Sequence, residues 1–247
     1  MLNLQRRICL AVPVYNEGPL IADSIEAFLS ESCFYTLLIV NDGSNEEDSN
    51  LLNKLANSLN FNLINHGENR GYGAACKSAA KWAHDNSYEW IIFADSDLTN
   101  PVNEITHLAS ILGSESVDIY KANRFGSSYG MKKVKYFRRL LSRVASLITT
   151  SLIANNIADP TNGFRAIKCQ AYSEFNLSSN DFSIILEEVT EYLRLGLKVS
   201  NFDSILGSRS QVQKPSNFQY SIRLLLRYSI WTLKCAVIRS RRIIKRP

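Results

Sequence analysis

This 247-residue sequence lacks the residue patterns of several common protein classes. It has only three histidines, and its five cysteines are scattered without a CxxC pair or a Cys/His ligand spacing, so we expect neither a zinc site nor a disulfide framework. Isolated cysteines of this kind are typical of reduced thiols in a cytosolic protein. The apolar runs fall short of the about 18 residues that a membrane-spanning helix needs, and the first run is too short for a signal peptide.

Common nucleotide-binding and catalytic motifs are also missing. The P-loop pattern does not occur, and Gly71-Tyr72-Gly73 follows the third predicted strand instead of the first, with Cys76 where a GxGxxG motif has its last glycine. A Rossmann dinucleotide site is therefore not expected, although a glycine loop beside a diphosphate, with Lys77 nearby, is consistent with the pattern. The three histidines show no spacing typical of a Ser/His/Asp triad and are predicted to be surface or helix-capping residues (His66, His84 and His107).

Acidic residues are missing from the C-terminal tail. The segment from Gln219 to Pro247 has eight Lys or Arg and no Asp or Glu, so the formal net charge of +5 is a local property of the tail. Cations among apolar residues predict contact with an anionic membrane surface. The alternatives are a helix that packs on the domain with a solvated basic face, or a tail that binds a protein partner. Nucleic-acid binding is not expected, because no recognised module accompanies the charge.

Apolar runs alternate with helical patterns along most of the chain. This alternation predicts an α/β fold with a mostly parallel central sheet flanked by helices. We predict one domain over residues 1–215 and a basic amphipathic helix over 216–247. The predicted strands of the first half are Ile8–Val14, Tyr35–Val40, Phe61–Asn65, Trp90–Ala94 and Val117–Ala122. After about Gly130 the pattern changes to a basic amphipathic stretch, the polar turn DPTNGF, a short strand, a helix that stops at Gly196 and a last strand.

Polar clusters follow three of the predicted strands, as YNEG, NDGSNEED and DSDLTNP. Ligands of a parallel sheet bind beyond the carboxyl ends of its strands. In an extended backbone Asp95 and Asp97 would point into one small volume, where their repulsion calls for a cation or a proton. The alternative is a turn in which Asp97 or Thr99 caps a helix that begins at Pro101. The coincidence of three polar strand ends favours a metal and nucleotide site.

The first two clusters contain further candidates for binding. Pro13 is expected to force the first strand out of the sheet, and Tyr15 is suited to stacking on a ring. Asp42 lies at the mouth of the second strand, where a carboxylate can accept two N–H bonds from a nucleobase. The alternative is that Asp42 or Ser44 caps the following helix.

Taken together, these segments resemble glycosyltransferase family 2, the inverting enzymes with the GT-A fold. The matching segments span roughly residues 8–210 in family order: VPVYNEG, IVNDGS, NRGYGAACKSA, FADSDLTNP, ANRF, DPTNGFRAIK and LEEVTEYLRLGLKV. The run YFRRLLSRV together with DPTNGFRAIK is most similar to the polyprenyl-phosphate branch, which includes dolichol-phosphate mannosyltransferases.

The resemblance implies an inverting, Mg²⁺- or Mn²⁺-dependent enzyme that transfers a sugar from a UDP- or GDP-linked donor. The implied acceptor is a polyprenyl phosphate, and the implied location is the cytoplasmic face of a membrane. Two alternatives stay open, namely transfer to a sugar hydroxyl of a growing glycan, and a non-catalytic GT-A-like domain that binds nucleotide or a partner. The sequence does not identify the donor base or the sugar.

The resemblance also implies roles for individual residues. Asp42 matches the carboxylate that reads the nucleotide base, in a pocket lined by Pro13, Tyr15 and Glu17. Asp95 and Asp97 match the family's DxD motif, whose second carboxylate binds the metal on the donor diphosphate, with Thr99 as a further oxygen ligand. Three arginines match positions that face the donor phosphates in the family: Arg124, Arg138 and Arg209. The glycine-loop pattern adds Gly71 and Lys77 as candidates beside the diphosphate.

The general base is the least defined role. Asp159 and Glu187 are the candidate bases for a hydroxyl acceptor, whereas for a phosphate acceptor they would hold the loop and its arginines. The sequence departs from the family pattern at Asn41, where the first aspartate of DDGS is usual, and at Asn162, where SGFR is usual. The usual Gly-x-Ser-Lys after the last strand is not cleanly present, which affects the assignment of Arg209.

Overall fold

The computed structural model describes residues 7–126, 143, 149–151, 156–207 and 222–244, with side chains of the last segment described over 226–238. Most of the basic stretch after Gly130 lies outside the described residues, and so does the predicted boundary between residues 215 and 216.

Seven strands form one mixed sheet in the order β3-β2-β1-β4-β6-β5-β7. The strands are β1 (Ile8–Val14), β2 (Thr36–Asn41), β3 (Asn62–Asn65), β4 (Trp90–Phe93), β5 (Ile119–Asn123), β6 (Arg165–Lys168) and β7 (Val199–Asp203). Only β6 runs antiparallel to its neighbours, β4 and β5, and the other four pairings are parallel. The predicted α/β class and the mostly parallel sheet are confirmed.

Helices cover both faces of the sheet. They are α1 (Ile21–Ser30), α2 (Glu46–Leu59), α3 (Tyr72–Asp85), α4 (Val102–Ile111), α5 (Cys169–Ser173), α6 (Ile184–Leu195) and α7 (Ile222–Ile244). One apolar core lies under α1, α2 and α4, and a second lies under α3, α5, α6 and α7. Because side chains alternate along a strand, Ile8 and Leu10 enter the first core while Cys9 and Ala11 enter the second.

Local sequence explains where several helices begin and end. Asn45 caps α2 by accepting a hydrogen bond from the backbone N–H of Asp48, and Asn60 ends it in the left-handed conformation. Gly196 ends α6 with φ of 74°, as its position after the apolar pattern predicts.

The C-terminal helix α7 packs against α6. The Cys235 side chain is fully buried there, and its sulfur lies 2.9 Å from the hydroxyl oxygen of Thr190 on α6. The Tyr228 hydroxyl donates to the carbonyl oxygen of Phe182 just before α6. Among the helices of the described residues, none is both long and apolar enough to cross a membrane.

A buried ion pair joins the sheet to α6. The Arg165 guanidinium on β6 donates two hydrogen bonds to the carboxylate of Glu188 on α6, and both side chains are 0% exposed. Tyr172 and Tyr192 donate to the same carboxylate, so its oxygens are fully used. The guanidinium also stacks on the ring of Phe93 from the neighbouring strand, at 4.2 Å. A charge removed from water is tolerated only with such complete pairing.

We expect Glu188→Gln to lower the free energy of unfolding by ~3–5 kcal/mol, because the Arg165 cation would remain buried without a counter-charge. Urea unfolding followed by circular dichroism measures the change. Asp85→Asn is the matched control, since Asp85 pairs with Lys81 at the exposed surface of α3 and its loss should leave stability unchanged. Equal stability of the two variants would contradict a stabilising role for the buried pair.

Candidate active site

The candidate site lies at the edge of the sheet where the parallel strands β1, β2, β4 and β5 end. Tyr15 and Glu17 follow β1, Asp42 follows β2, and the two aspartates of DSD follow β4. Because β6 is antiparallel, the DPTNGF loop that precedes it reaches the same edge, where Arg165 pairs with Phe93 and Lys121. The polar clusters separated in sequence therefore meet at one edge, as a parallel sheet predicts.

Pro13 stays within the first strand. It pairs with Val40 in register, and β1 continues to Val14, so the expectation that the proline forces the chain out of the sheet is wrong. The strand tolerates the proline because its pairing with β4 ends at Ala11. The N–H that Pro13 lacks would therefore have had no backbone partner on the β4 side.

Asp42 is buried and holds the glycine loop, which we define as residues 70–73. One carboxylate oxygen accepts hydrogen bonds from His66 Nδ1 at 2.7 Å and from the Arg70 backbone N–H at 3.1 Å. The other accepts from the Gly71 backbone N–H at 2.7 Å. Neither Asp42 nor Ser44 caps α2, since Asn45 does so, and that alternative is wrong. These three hydrogen bonds use three of the four lone-pair positions on the carboxylate. The fourth position, on the oxygen that binds the Gly71 N–H, is left by these contacts for a ligand.

His66 is a partner of Asp42 that sequence reasoning missed. The prediction of a surface or capping residue is wrong, because the side chain is buried between Asp42 and Ser78 Oγ, which lies 2.9 Å from Nε2. One signal was available: His66 is the first residue after β3, and Asp42 is the first after the neighbouring parallel strand β2. Once β2 and β3 are known to pair in this register, the two residues are placed side by side.

The glycine loop approaches a second segment of backbone closely. A Cβ atom on Gly71, whose φ is 96°, would lie 2.2 Å from the Asn180 carbonyl oxygen, and one on Gly73 would lie 2.6 Å from that of Ser179. The Gly73 N–H donates to the Asn180 carbonyl, and Lys77 Nζ donates to the Asn180 side chain at 2.7 Å. Both glycines are therefore required by packing against residues 178–181.

Asp95 and Asp97 lie in a turn that follows β4. The chain leaves the strand after Phe93, so the expected extended geometry of the two carboxylates is wrong. One oxygen of Asp97 accepts from the Thr99 N–H at 2.9 Å, and Leu98 between them has φ of 55°, a sparsely populated conformation that often occurs at functional sites. Asp95 is exposed and Asp97 is half-buried.

Neither aspartate caps the following helix. The helix α4 begins at Val102, and its N-cap residue Pro101 is accompanied by no side-chain cap. The alternative in which Asp97 or Thr99 caps this helix is therefore wrong. The Asn100 side chain instead accepts from the Asp95 N–H at 3.0 Å and closes the turn on itself.

The donor set of this turn fits a hard divalent cation. Thr99 Oγ1 is buried without a hydrogen-bond partner, in the same turn as the carboxylates of Asp95 and Asp97. Oxygen ligands of this kind suit Mg²⁺ or Mn²⁺, and Mg²⁺ usually takes one or two carboxylates and completes its shell with water and substrate phosphates. The described residues contain no group of three or more His, Cys, Asp or Glu arranged for a metal.

Glu17 joins the first polar cluster to the turn after β4 that carries Asp95 and Asp97, which we call the aspartate turn. Its carboxylate accepts a hydrogen bond at 3.0 Å from the hydroxyl of Ser96, the residue between the two aspartates. The segment after β7 also reaches this turn, because the Gly207 N–H donates to the Thr99 carbonyl at 2.9 Å. Arg138 and Arg209 lie outside the described residues.

Arg124 and Asp159 form a bidentate ion pair at the same edge. Arg124 follows β5 directly, and its guanidinium donates to both oxygens of Asp159, with distances of 2.7 and 3.0 Å. Burial by itself would raise the pKa of Asp159, but the charge and hydrogen bonds of Arg124 hold that pKa below its usual value. Asp159 is therefore a weak proton acceptor, and it orients the arginine.

A buried lysine supports the loop that carries Asp159. Lys121 on β5 is fully buried and donates to the carbonyl oxygen of Asn162. Burial lowers the pKa of its ammonium group to about 7, and the nearby Arg165 charge contributes in the same direction. The Asn162 amide donates in turn to the Ala122 carbonyl, so this departure from the family pattern has a structural function.

Glu187 holds the segment that packs on the glycine loop. One carboxylate oxygen accepts from the backbone N–H and the hydroxyl of Ser178, and the other accepts from the Ser179 N–H, all at 2.7 Å. The side chain is buried. Asp159 and Glu187 are thus both engaged in holding loops, as the sequence analysis expected for a phosphate acceptor.

We expect His66→Ala to lower the free energy of unfolding by ~1–3 kcal/mol, because the buried Asp42 carboxylate would lose a hydrogen-bond donor. The matched control is His84→Ala, since the His84 side chain is 43% exposed at the end of α3. Chemical denaturation of both variants provides the comparison. Identical losses would show that the contact between His66 and Asp42 does not stabilise the loop.

Comparisons with known proteins agree with this architecture. A sequence model described as "Glycosyl transferase family 2" matches residues 9–175. The structure of S. aureus TarS 1-349 in complex with UDP-GlcNAc has a TM-score of 0.52 and 16% identity, covering 85% of this chain and 62% of that chain. The mannosyltransferase PcManGT from Pyrobaculum calidifontis, in complex with GDP-Man and Mn²⁺, has a TM-score of 0.55 and 13% identity, covering 98% and 76%.

The structural matches support the fold, and the sequence match shows the family. This chain spans about three fifths of the TarS 1-349 structures that it matches. At these identities the likeness shows a shared fold alone, which confirms the expected GT-A architecture. The family match covers more than half of the chain and includes β1 to β6 with the aspartate turn, and the chain therefore belongs to glycosyl transferase family 2.

Proposed function

We propose that this protein transfers a sugar from a nucleotide-sugar donor to an acceptor, with inversion at the anomeric carbon. The observation that carries the proposal is the placement of Asp42 after β2 and of Asp95 and Asp97 after β4 at the same edge of the sheet, within the segment that matches the family. The ligands named for similar structures, UDP-GlcNAc in TarS and GDP-Man in PcManGT, support a donor of this class. The base is uracil or guanine.

The proposed donor site extends from the glycine loop to the aspartate turn. Asp42 keeps the Gly71 N–H and the loop in place and offers its remaining lone pair to the base, while Tyr15 lies on the neighbouring loop after β1. Asp95, Asp97 and the partnerless hydroxyl oxygen of Thr99 would hold Mg²⁺ or Mn²⁺ against the donor diphosphate. When bound, the metal would neutralise the charge that develops on the leaving nucleoside diphosphate. The Mn²⁺ in the PcManGT complex supports this assignment.

A phosphate is the acceptor that the structure favours. A hydroxyl acceptor needs a general base, whereas a phosphate is already an anion and needs none. Both candidate bases hold loops, since Asp159 is bound by Arg124 and Glu187 by Ser178 and Ser179. The Arg124 side chain is 16% exposed at the site edge and is a candidate contact for an acceptor phosphate.

This reasoning leads to a polyprenyl phosphate as the proposed acceptor. The enzyme would then act at the cytoplasmic face of a membrane, as a peripheral protein. The second candidate acceptor is a sugar hydroxyl of a growing glycan, because the exposed Asp95 offers a carboxylate at the same edge of the sheet. A non-catalytic nucleotide-binding domain is disfavoured by the presence of Asp42, Asp95, Asp97 and Arg124 together.

We expect one nucleotide of the set UDP, GDP, UDP-glucose and GDP-mannose to raise the melting temperature, and only with Mn²⁺ present. A ligand at 100 times its dissociation constant adds about 2.7 kcal/mol of stability. The shift should vanish in Asp97→Asn and persist in Asp85→Asn, which removes an exposed carboxylate on α3. A metal-dependent shift that Asp97→Asn retains would remove the metal assignment, and no shift with any nucleotide would favour a non-catalytic domain.

We expect sugar transfer to a polyprenyl phosphate and none to the corresponding polyprenol, because the structure favours an acceptor that is already an anion. The measurement uses radiolabelled donor and thin-layer separation of lipid products. Arg124→Lys keeps the charge but loses bidentate geometry, and it should reduce transfer at least tenfold. Arg7→Lys is the control, because Arg7 pairs with Glu89 at the surface. Transfer to glycan hydroxyls alone would contradict the proposed acceptor.

A further inference from the structure

The C-terminal helix α7 has two apolar faces. Its inner face packs on the domain, where Cys235 is fully buried and Thr232 nearly so. The opposite face carries four large apolar side chains at spacings of four, three and four residues, which places them in one stripe along the helix. These are Leu226 at 60% exposure, Ile230 at 50%, Leu233 at 61% and Val237 at 50%. We name these four residues the outer stripe.

The outer stripe is the main concentration of exposed apolar side chains in the described part of the chain. Only Phe34 and Ile205 are comparably exposed there, and they lie in two separate loops, one before β2 and one after β7. A contiguous exposed apolar patch on a helix marks a binding surface. The described contacts of the inner face account for the packing of α7 on α6, so they do not explain the outer stripe.

The charge of the tail indicates the class of partner. The tail has eight cations and no acidic residue after Gln219, and exposed Lys234 lies next to Leu233 with its ammonium 3.9 Å from the Trp231 ring centroid. A second copy of α7 against the first would bring like charges together, which disfavours self-association. An anionic surface instead complements both the stripe and the cations.

We infer that the outer stripe of α7 docks this protein on an anionic lipid surface. The inference rests in part on the proposed function, because a polyprenyl-phosphate acceptor lies in a membrane. Leu226 to Val237 spans about 17 Å along the helix axis, enough for three turns to lie in the lipid interface. In this arrangement the helix would lie along the lipid surface.

The same helix is joined to the proposed donor site. Arg227 donates to the Asp181 carboxylate, Tyr228 to the Phe182 carbonyl, and Trp231 Nε1 to the Ser179 hydroxyl. These bonds hold residues 179–182, which pack on the glycine loop through the Asn180 carbonyl. Docking through α7 would therefore fix the orientation of the donor site relative to the lipid surface.

The test is vesicle co-flotation of the full chain without donor or acceptor. Phosphatidylcholine vesicles with and without phosphatidylserine are compared, and we expect binding only to the anionic ones. The variant Leu226→Gln/Ile230→Gln/Leu233→Gln should reduce this binding at least tenfold. The matched control is Phe34→Gln/Ile205→Gln, which removes exposed apolar side chains elsewhere and should bind as the unsubstituted chain does.

Raising the salt concentration from about 0.1 to about 1 M should weaken binding, since the Debye length falls from about 10 to about 3 Å.

Three results would overturn the inference. The first is equal binding of the triple variant and the unsubstituted chain, and the second is no binding of the unsubstituted chain to anionic vesicles. The third is a dimer in light scattering that the triple variant converts to a monomer, which would assign the outer stripe to a second copy. The thermal unfolding and nucleotide-induced shift of the triple variant serve as folding controls. Because flotation uses no donor, its failure is distinct from failure of the proposed sugar transfer.

Discussion

The buried ion pair between Arg165 and Glu188 is the contact on which the other parts of the structure depend. The two side chains have no exposure to water, and their charges are satisfied by each other, by three tyrosine hydroxyls, by the Gly163 carbonyl and by the Phe93 ring. This arrangement requires β6 to lie in the interior of the sheet and α6 to lie directly over it. The desolvation of two charges makes any other placement of these elements costly, so the pair specifies one packing of α6 on the sheet.

The position of α6 then determines the geometry of the glycine loop. Glu187 is adjacent to Glu188 in sequence but points along a different direction of the helix, to the backbone of Ser178 and Ser179. The segment held there presses the Asn180 carbonyl against Gly73, while Asp42 holds the other side of the loop through Gly71. The proposed base-reading pocket is thus supported from both sides by carboxylates, one on α6 and one at the end of β2.

Acidic residues of the candidate site separate into two groups by their partners. Asp42, Asp159 and Glu187 are buried acceptors of several hydrogen bonds each, and these bonds hold loops of the candidate site. Asp95 and Asp97 lie in a more exposed turn, beside a hydroxyl oxygen with no hydrogen-bond partner. This division supports the proposal that a metal and the donor diphosphate bind at the second group, and the proposal of an acceptor that needs no general base.

The sequence by itself determined the elements of the first half and the edge of the sheet at which the candidate site lies. The strand Ile8–Val14 and the end of α6 at Gly196 follow from local apolar patterns and a glycine, and the polar strand ends follow from the same patterns. Only the tertiary structure decided that β6 inserts antiparallel between β4 and β5, that His66 binds Asp42, and that Asn180 packs on Gly73. These features join residues far apart in the chain, and their partners depend on strand order, which local periodicity does not encode.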